Sequence, residues 1–165
     1  MPVALIAARR STDFDFLTGR WTVENRRLKE RFVGCTEWET FPGTQEAWPL
    51  LGGLANVDRY AAARPGAPDF EGATVRVYDP TRDLWTIYWM DSVACRLDYQ
   101  VEGRFTEGVG VFEGQEEAGG KMRKLRFQWR QTGAATARWE QAYYLDETES
   151  WETNWIMEFT RVDET

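Results

Sequence analysis

Residues 14–21 read Phe-Asp-Phe-Leu-Thr-Gly-Arg-Trp, and this stretch joins two kinds of local pattern. Residues 12–18 form the best helical candidate of the chain, and their aromatic pair, Phe14 and Phe16, would fold over something apolar. From residue 20 to residue 28 the pattern changes to an alternation that places every second side chain on one face. The stretch therefore predicts a short helical turn that leads directly into a first β-strand.

A hairpin is predicted further along the chain, where residues 72–78 and 84–90 flank a turn that contains Asp and Pro. If Tyr78 lies opposite Leu84, one set of apolar side chains shares a face and points into the core. These side chains are Val75, Val77, Trp85, Ile87 and Trp89. In that arrangement Arg76 points outward.

Strand patterns cover most of the remaining chain, and glycine or proline separates them. The further predicted strands are residues 35–41, 56–62, 96–101, 103–106, 108–113, 123–130, 137–145 and 151–161. Pro42-Gly43 is predicted to be a loop. Because no alternation of strands with helices appears, a parallel sheet is not expected, and the many short strands favour an antiparallel barrel or sandwich. We predict an all-β protein with an N-terminal tail over residues 1–12 and one domain over residues 13–165.

The composition excludes several classes of function. The 165-residue chain has a net charge of −7 and no histidine. An acidic chain without a basic patch is not expected to bind nucleic acid. Without histidine, Ser-His-Asp and Cys-His nucleophiles, His-ligated haem and the common catalytic zinc sites are excluded. We therefore predict no cofactor and no metal site.

Cys35 and Cys95 are the two cysteines of the chain. Both lie in strand-like stretches, which favours two small buried side chains. A disulfide between them is the alternative.

The N-terminal residues 1–10 start with a short apolar run that positive charges follow. A signal peptide has its charges before the apolar run and a cleavage site after it. No stretch approaches the roughly 20 apolar residues of a membrane span. We predict a cytoplasmic protein without a membrane partner.

Three phrases of the sequence carry a family resemblance: residues 14–21, Trp-Glu-Gln-Ala at 139–142 and Trp-Glu-Thr-Asn-Trp at 151–155. Over residues 13–162 the chain resembles a group of uncharacterised bacterial lipocalin-like proteins of the calycin superfamily. The resemblance implies a single lipocalin-like β-barrel with a pocket, and it implies no particular activity.

The same resemblance implies how the barrel closes. In lipocalins a Gly-x-Trp begins the first strand, and an Arg or Lys of the last strand packs over that Trp. The matching residues here are Trp21 and Arg161. The chain departs from the group in two places, with Asp-Glu-Thr at 146–148 where relatives tend to carry glycines, and Asn25 where relatives often have histidine.

Several polar residues are candidates for the pocket. If Trp21 faces the interior, Asn25 and Arg27 do so too, because side chains alternate along a strand. An interior Arg27 would need Glu140 or an anionic ligand as its partner, unless it lies solvated at an open mouth. The polar alternation that starts at Asn56 is either an outer face or a part of the pocket wall.

The last hairpin has two alternative registers. A connection of five residues would place the odd-numbered side chains of residues 137–145 opposite residues 151, 153 and 155, whereas a connection of four would place them opposite 152, 154 and 156. In the pocket, Gln141 and Asn154 would orient a ligand, and Glu140 or Tyr143 would move a proton. On an outer face they would make only cross-strand contacts.

The first functional hypothesis is a protein that binds a small apolar or amphipathic molecule. The predicted ligand-binding residues are Asn25, Arg27, Trp38, Asn56, Trp89, Trp129, Gln141, Asn154 and Trp155. The second hypothesis is a cofactor-independent cyclase or isomerase with Glu140 or Tyr143 as candidate catalytic residues. The third is a structural or oligomeric module whose barrel is filled by side chains. An exposed strand edge or an outward tryptophan would favour a homodimer.

Overall fold

The computed structural model describes residues 11–163. Most of the predicted tail, residues 1–10, lies outside these described residues. Two short 3-10 turns are present, Asp15–Leu17 and Leu51–Gly53. The ten strands are β1 (Gly19–Leu28), β2 (Trp38–Leu50), β3 (Ala55–Ala62), β4 (Phe70–Asp79), β5 (Leu84–Asp91), β6 (Asp98–Thr106), β7 (Val109–Ala118), β8 (Lys121–Gly133), β9 (Thr136–Leu145) and β10 (Ser150–Arg161).

The strands form one closed antiparallel barrel in which each strand pairs with its neighbours in the sequence. β1 and β10 complete the ring, with seven register pairs from Trp21 opposite Arg161 to Arg27 opposite Trp155. This architecture confirms the predicted fold class, including the short helical turn before β1. Within residues 11–163 the closed ring leaves no strand edge exposed, and Trp48 is the tryptophan most exposed on the outer surface.

The contact between Arg161 and Trp21 seals the junction of β1 and β10. The guanidinium carbon of Arg161 lies 4.2 Å from the centre of the Trp21 ring. The Arg161 Nη1 and Nη2 atoms donate hydrogen bonds of 2.6 Å to the carbonyl oxygens of Thr18 and Phe16. Because Trp21 Nε1 also donates to the Leu17 carbonyl oxygen at 2.8 Å, these two side chains hold the first 3-10 turn across one end of the barrel.

Phe14, which precedes this turn, is buried at the same end of the barrel. Its ring makes edge-on contacts with Trp85 and Phe105 and a stacked contact with Phe112, at centroid separations of 4.9–5.7 Å. Such aromatic packing stabilises beyond the apolar area that it buries. The predicted aromatic cover is therefore a plug that closes what we call the lower end of the barrel.

The predicted pairing of β4 with β5 is wrong by one residue. Tyr78 lies opposite Trp85 rather than Leu84. The inward face of β4 consequently carries Arg76, while Val75 and Val77 point outward and are partly exposed. The apolar residues of β5 do face the core, so the error concerns β4 alone.

The register of the last hairpin changes at a bulge in β10. Above the bulge Tyr143 faces Glu152, and below it Gln141 faces Trp155. Asn154 is the extra residue between these pairs, and its side chain is fully buried. Each of the two alternative registers therefore holds on one side of the bulge.

Two further predictions need correction. Pro42-Gly43 does not form a loop, because β2 continues through it with Pro42 facing outward and Gly43 inward. The cysteines are neither buried in strands nor joined. Both thiols are free, with Cys35 half-buried before β2 and Cys95 exposed in the connection between β5 and β6.

Candidate functional site

The barrel interior contains a cavity of about 290 Å³ that reaches the end opposite the Phe14 plug. This upper end carries the β1–β2, β3–β4 and β5–β6 connections. Arg31, Ala94 and Arg96 of these connections line the cavity. The cavity therefore has an aromatic floor near the plug and a mouth among the upper loops.

The walls of the cavity are aromatic, and the mouth is charged. Aromatic rings from five strands, β3, β5, β8, β9 and β10, line the walls, and Ile87 and Met157 add aliphatic surface. The aromatic wall residues are Tyr60, Trp89, Phe127, Trp129, Trp139, Tyr143 and Trp155. An apolar wall with a few placed polar groups is typical of small-molecule sites.

Arg27 and Arg31 are the two cations of the cavity that lack an acidic partner. The Arg27 guanidinium carbon lies 4.8 Å from the centre of the Trp155 ring, and that of Arg31 lies 5.6 Å from the Tyr143 ring. Within residues 11–163 no carboxylate forms an ion pair with either residue. Burial, with repulsion from Arg31 and Arg64, lowers the pKa of Arg27 to about 10.

The connection that carries Arg31 is held in place by its neighbour Phe32. The backbone N–H of Phe32 donates to Glu152 Oε1 at 2.9 Å, and the Arg123 guanidinium carbon lies 4.1 Å from the Phe32 ring. The ring also packs edge-on against Tyr143. These contacts fix Arg31 over the mouth of the cavity.

Arg76 is the charged group nearest the floor, and it is neutralised. Its Nη2 atom lies 2.6 Å from Asp58 Oδ2, and its Nη1 atom donates to Asn56 Oδ1 at 2.9 Å. Its guanidinium carbon also lies 5.1 Å from the Phe14 ring. Burial raises the pKa of Asp58, while Arg76 and Thr74 oppose this shift. Because its charge is already paired, Arg76 is a structural group of the core.

Asn25 organises the wall below Arg27. Its Oδ1 atom accepts hydrogen bonds from Tyr60 Oη at 2.7 Å and Trp155 Nε1 at 3.1 Å, and its Nδ2 atom donates to the Phe41 carbonyl oxygen. Asn25 therefore orients two rings of the cavity wall without itself lining the cavity. Burial raises the pKa of Tyr60, more strongly than its bond to Asn25 and the charge of Arg27 lower it.

Tyr143 and Glu116 form a hydrogen-bonded pair in the cavity wall, with the phenol donating to Glu116 Oε1. Burial, the hydrogen bond to Glu116 and the charge of Glu116 all raise the pKa of Tyr143. The phenol is therefore protonated at neutral pH and acts as a hydrogen-bond donor.

The structure brings five of the predicted ligand-binding residues to the cavity: Arg27, Trp89, Trp129, Gln141 and Trp155. Three others are buried behind the wall: Asn25, Asn56 and Asn154. Asn154 Oδ1 accepts from Gln141 Nε2 at 2.8 Å and so positions that amide.

Two predicted site residues lie on the outside of the barrel. Trp38 is on the opposite face of β2 from the inward Phe41 and lies under the Arg26 guanidinium, 5.3 Å away. Glu140 is held by Arg138, whose Nε atom donates to Glu140 Oε1 at 3.0 Å. Of the two candidate catalytic residues, Tyr143 alone lines the cavity.

Sequence reasoning missed Arg31, Arg76, Gln45 and Glu116 as interior groups. Arg31 belongs to a connection without a periodic pattern, and Arg76 was assigned to the outer face. Gln45 and Glu116 could have been found by alternation, because each shares its face with a buried aromatic residue, Phe41 and Phe112 respectively.

Neither a cluster of metal ligands nor a membrane-spanning helix is found in the part of the chain that the structure describes. No three Asp, Glu or Cys side chains between residues 11 and 163 are grouped as ligands for a metal ion. In the same residues, no helix has the length and apolar character that crossing a membrane requires.

The fold and the cavity together define a closed ten-stranded antiparallel barrel with an aromatic interior and a charged mouth, at which Arg27 and Arg31 are the cations without an ion-pair partner within residues 11–163. The structure is similar to that of an S-type phycobiliprotein lyase from Guillardia theta, with a TM-score of 0.64, 10% sequence identity and complete coverage of both chains. At this level of identity the similarity establishes the fold. No protein-family model and no curated protein sequence matches the chain.

Proposed function

We propose that this protein binds a small amphipathic anion, with its apolar part among the aromatic walls and its anionic group at Arg27 and Arg31. The observation that carries the proposal is the pair of guanidinium groups at the mouth that form no ion pair with a carboxylate within residues 11–163. A ligand carboxylate at this position would form charge-assisted hydrogen bonds with both side chains.

The electrostatics of the mouth favour an anion over a neutral ligand. Arg27 is mostly buried, and Arg31 and Arg64 destabilise its charge more than Glu39 stabilises it. Leaving a buried charge without a partner costs several kcal/mol. A bound anion would remove part of this cost, and the free energy recovered would contribute to the affinity for the anion.

The size of the cavity restricts the ligand. A volume of about 290 Å³ is near the lower limit of small-molecule pockets. It suits a medium-length chain or a small ring system. The space left at the centre of the barrel supports a binding function over the filled module of the third hypothesis.

The test compares decanoate with 1-decanol, which share a chain length and differ in charge. Binding is measured through tryptophan fluorescence, since Trp89, Trp129, Trp139 and Trp155 line the cavity. We expect decanoate to bind more tightly than 1-decanol. The double variant Arg27→Gln/Arg31→Gln should weaken decanoate binding by about tenfold or more, since a hydrogen bond to a charged group contributes roughly 1.5–3 kcal/mol.

The matched control is Arg126→Gln. Arg126 also stacks on a tryptophan, 4.3 Å from the Trp151 ring, but it does not line the cavity. Its substitution should leave decanoate binding unchanged. Equal affinity for decanoate and 1-decanol, or equal loss in the control, would contradict the proposal.

A second candidate function, a cofactor-independent cyclase or isomerase, is favoured by the Tyr143–Glu116 pair. Such a reaction needs a proton donor and acceptor beside an apolar pocket, and this pair provides both. The fold is compatible with catalysis, because a lyase shares it. Deuterium exchange at the carbons next to the carbonyl of 2-decanone, followed by NMR, tests this function, and exchange that is identical with Glu116→Gln would refute it.

We further propose that the chain belongs to the lipocalin-like group that residues 14–21, 139–142 and 151–155 resemble. A bacterial source follows from that assignment, and a cytoplasmic location is a separate prediction. A homodimer through the outer surface around Trp48 is a further prediction that sedimentation velocity tests directly.

A further inference from the structure

Gln45 carries a buried amide that lacks a partner and lines the cavity. The residue is 6% exposed and lines the cavity, and within residues 11–163 its buried Nε2 atom has no hydrogen-bond partner. A buried polar group without a hydrogen bond costs about 1–3 kcal/mol. Native proteins rarely keep such groups unless something satisfies them.

The neighbours of Gln45 do not provide that partner. Its register partners are Trp21 on β1 and Tyr60 on β3. Trp21 Nε1 donates to the Leu17 carbonyl oxygen, and the Tyr60 hydroxyl donates to Asn25 Oδ1. The next inward residue toward the mouth is Gly43, which has no side chain. Gln45 therefore contributes to the cavity wall, while its buried Nε2 atom stays without a hydrogen-bond partner within residues 11–163.

Gln45 and the cationic mouth lie far apart in the barrel. Arg27 is the register partner of Glu39, which precedes Gln45 by six residues on β2. Six residues correspond to ~20 Å along a strand. With the usual strand tilt of a barrel, the separation along the axis is about 15 Å. The backbone positions of the two polar sites are therefore well separated along the barrel axis, and both residues line the same cavity.

We propose that Gln45 is the specificity-determining residue for a second polar group on the ligand, so that the ligand is an elongated carboxylate with a neutral hydroxyl at its far end. This inference rests on the proposed function, because it takes the anionic group to be held at Arg27 and Arg31. A hydroxyl both donates and accepts, so it satisfies a primary amide in either orientation. A second charge is disfavoured at this depth, because Gln45 offers no countercharge and Arg76 is already paired with Asp58.

The test compares 10-hydroxydecanoate with decanoate, in the full-length protein and in Gln45→Leu. We expect the hydroxyl to improve binding by about three- to tenfold in the unaltered protein, as one neutral hydrogen bond allows. In Gln45→Leu the preference should vanish or reverse, while decanoate binding is retained or improved. Gln128→Leu, which removes an amide from the outer face of β8, should leave the preference intact.

The outcomes separate this inference from the proposed function. If decanoate binds in a manner that depends on Arg27 and Arg31, but the hydroxyl brings no gain or its gain survives Gln45→Leu, the inference about Gln45 is overturned and the proposed function stands. If decanoate itself fails to bind, the proposed function falls and this inference falls with it.

A second readout does not depend on a folded variant. The side-chain amide resonances of Gln45, recorded with ¹⁵N-labelled protein, should shift with 10-hydroxydecanoate and much less with decanoate. Equal shifts with both ligands would overturn the inference even if Gln45→Leu did not fold.

Discussion

The Arg161 guanidinium lies 4.2 Å above the Trp21 ring and donates two hydrogen bonds to the turn that precedes β1. One side chain of the last strand thus holds the first strand and the lower cover of the barrel together. We expect Arg161→Ala to lower the free energy of unfolding by about 2–3 kcal/mol, because it loses a cation–π contact and two charge-assisted hydrogen bonds. Urea unfolding monitored by tryptophan fluorescence measures this loss.

Arg126→Ala is the control for the closure contact. It removes an equivalent stack on Trp151 from the outer face, where no backbone carbonyl is engaged. Its cost should be under about 1 kcal/mol. Similar losses for both variants would show that Arg161 acts as an ordinary surface residue.

The buried pair Asp58–Arg76 should respond strongly to the loss of one partner. Arg76→Met leaves the Asp58 carboxylate without its guanidinium, and such a change typically costs about 3–5 kcal/mol. The double variant Asp58→Leu/Arg76→Met should recover much of this loss, because neither charge then remains buried. Unfolding curves of the single and double variants give the coupling energy directly.

The ion pair Arg59–Glu71 is a matched comparison for this measurement, because Arg59 Nε lies 3.0 Å from Glu71 Oε1 and both side chains are exposed to solvent. Glu71→Gln should cost less than about 1 kcal/mol. A double Asp58/Arg76 variant whose loss is simply the sum of two single losses would argue against a coupled pair.

Tyr60 should make the stability depend on alkaline pH. Burial raises the pKa of the folded Tyr60 phenol above the ordinary value of about 10. As the pH rises above 10, the unfolded chain loses this proton while the folded chain keeps it, so the contribution that is complete below pH 10 is progressively lost. The difference in unfolding free energy between the wild type and Tyr60→Phe should therefore shrink between pH 9 and pH 11, and parallel curves would contradict this assignment.

Gly103 should not tolerate a side chain, because β6 and β7 approach each other closely at this residue. A Cβ atom there would lie 1.9 Å from the Val111 carbonyl oxygen and 2.8 Å from Phe112 Cα. Gly103→Ala should therefore destabilise the barrel by about 3 kcal/mol. Gly66→Ala is the control, because at that residue only the positive φ of 72° is unfavourable, which costs about 1 kcal/mol. The thermal unfolding temperature should therefore fall further in Gly103→Ala than in Gly66→Ala.

Local patterns were sufficient to predict the antiparallel strands and the aromatic cover, whereas the choice of a barrel over a sandwich came from the family resemblance. The alternation in β1 and the helical turn before it are short-range features, because neighbouring residues determine them. The pairing of Trp21 with Arg161 was implied by resemblance, since 140 positions of chain separate the partners. The interior position of Arg76 was not predictable in this way, because the partners that make it favourable, Asp58 and Asn56, lie on another strand.

The candidate site was predicted less completely than the fold. Arg27 followed from alternation along β1, but the bulge at Asn154 separates two registers of the last hairpin that alternation alone treats as exclusive. Arg31 depends on the fixed position of Phe32, which tertiary contacts with Arg123 and Glu152 create. Side chains that a loop brings to a cavity have no periodic signature in the sequence.

The Phe14 plug closes the lower end of the cavity, and the mouth lies at the upper end. The segment of chain that Phe32 attaches to β8 and β10 lies beside this mouth. If this segment must move before a ligand can leave, the residence time of the ligand depends on how often the segment moves. It does not depend on the strength of the ligand's contacts alone. Two ligands of equal affinity would then dissociate at the same rate, because movement of the segment at the mouth, rather than their contacts with the cavity wall, limits their exit.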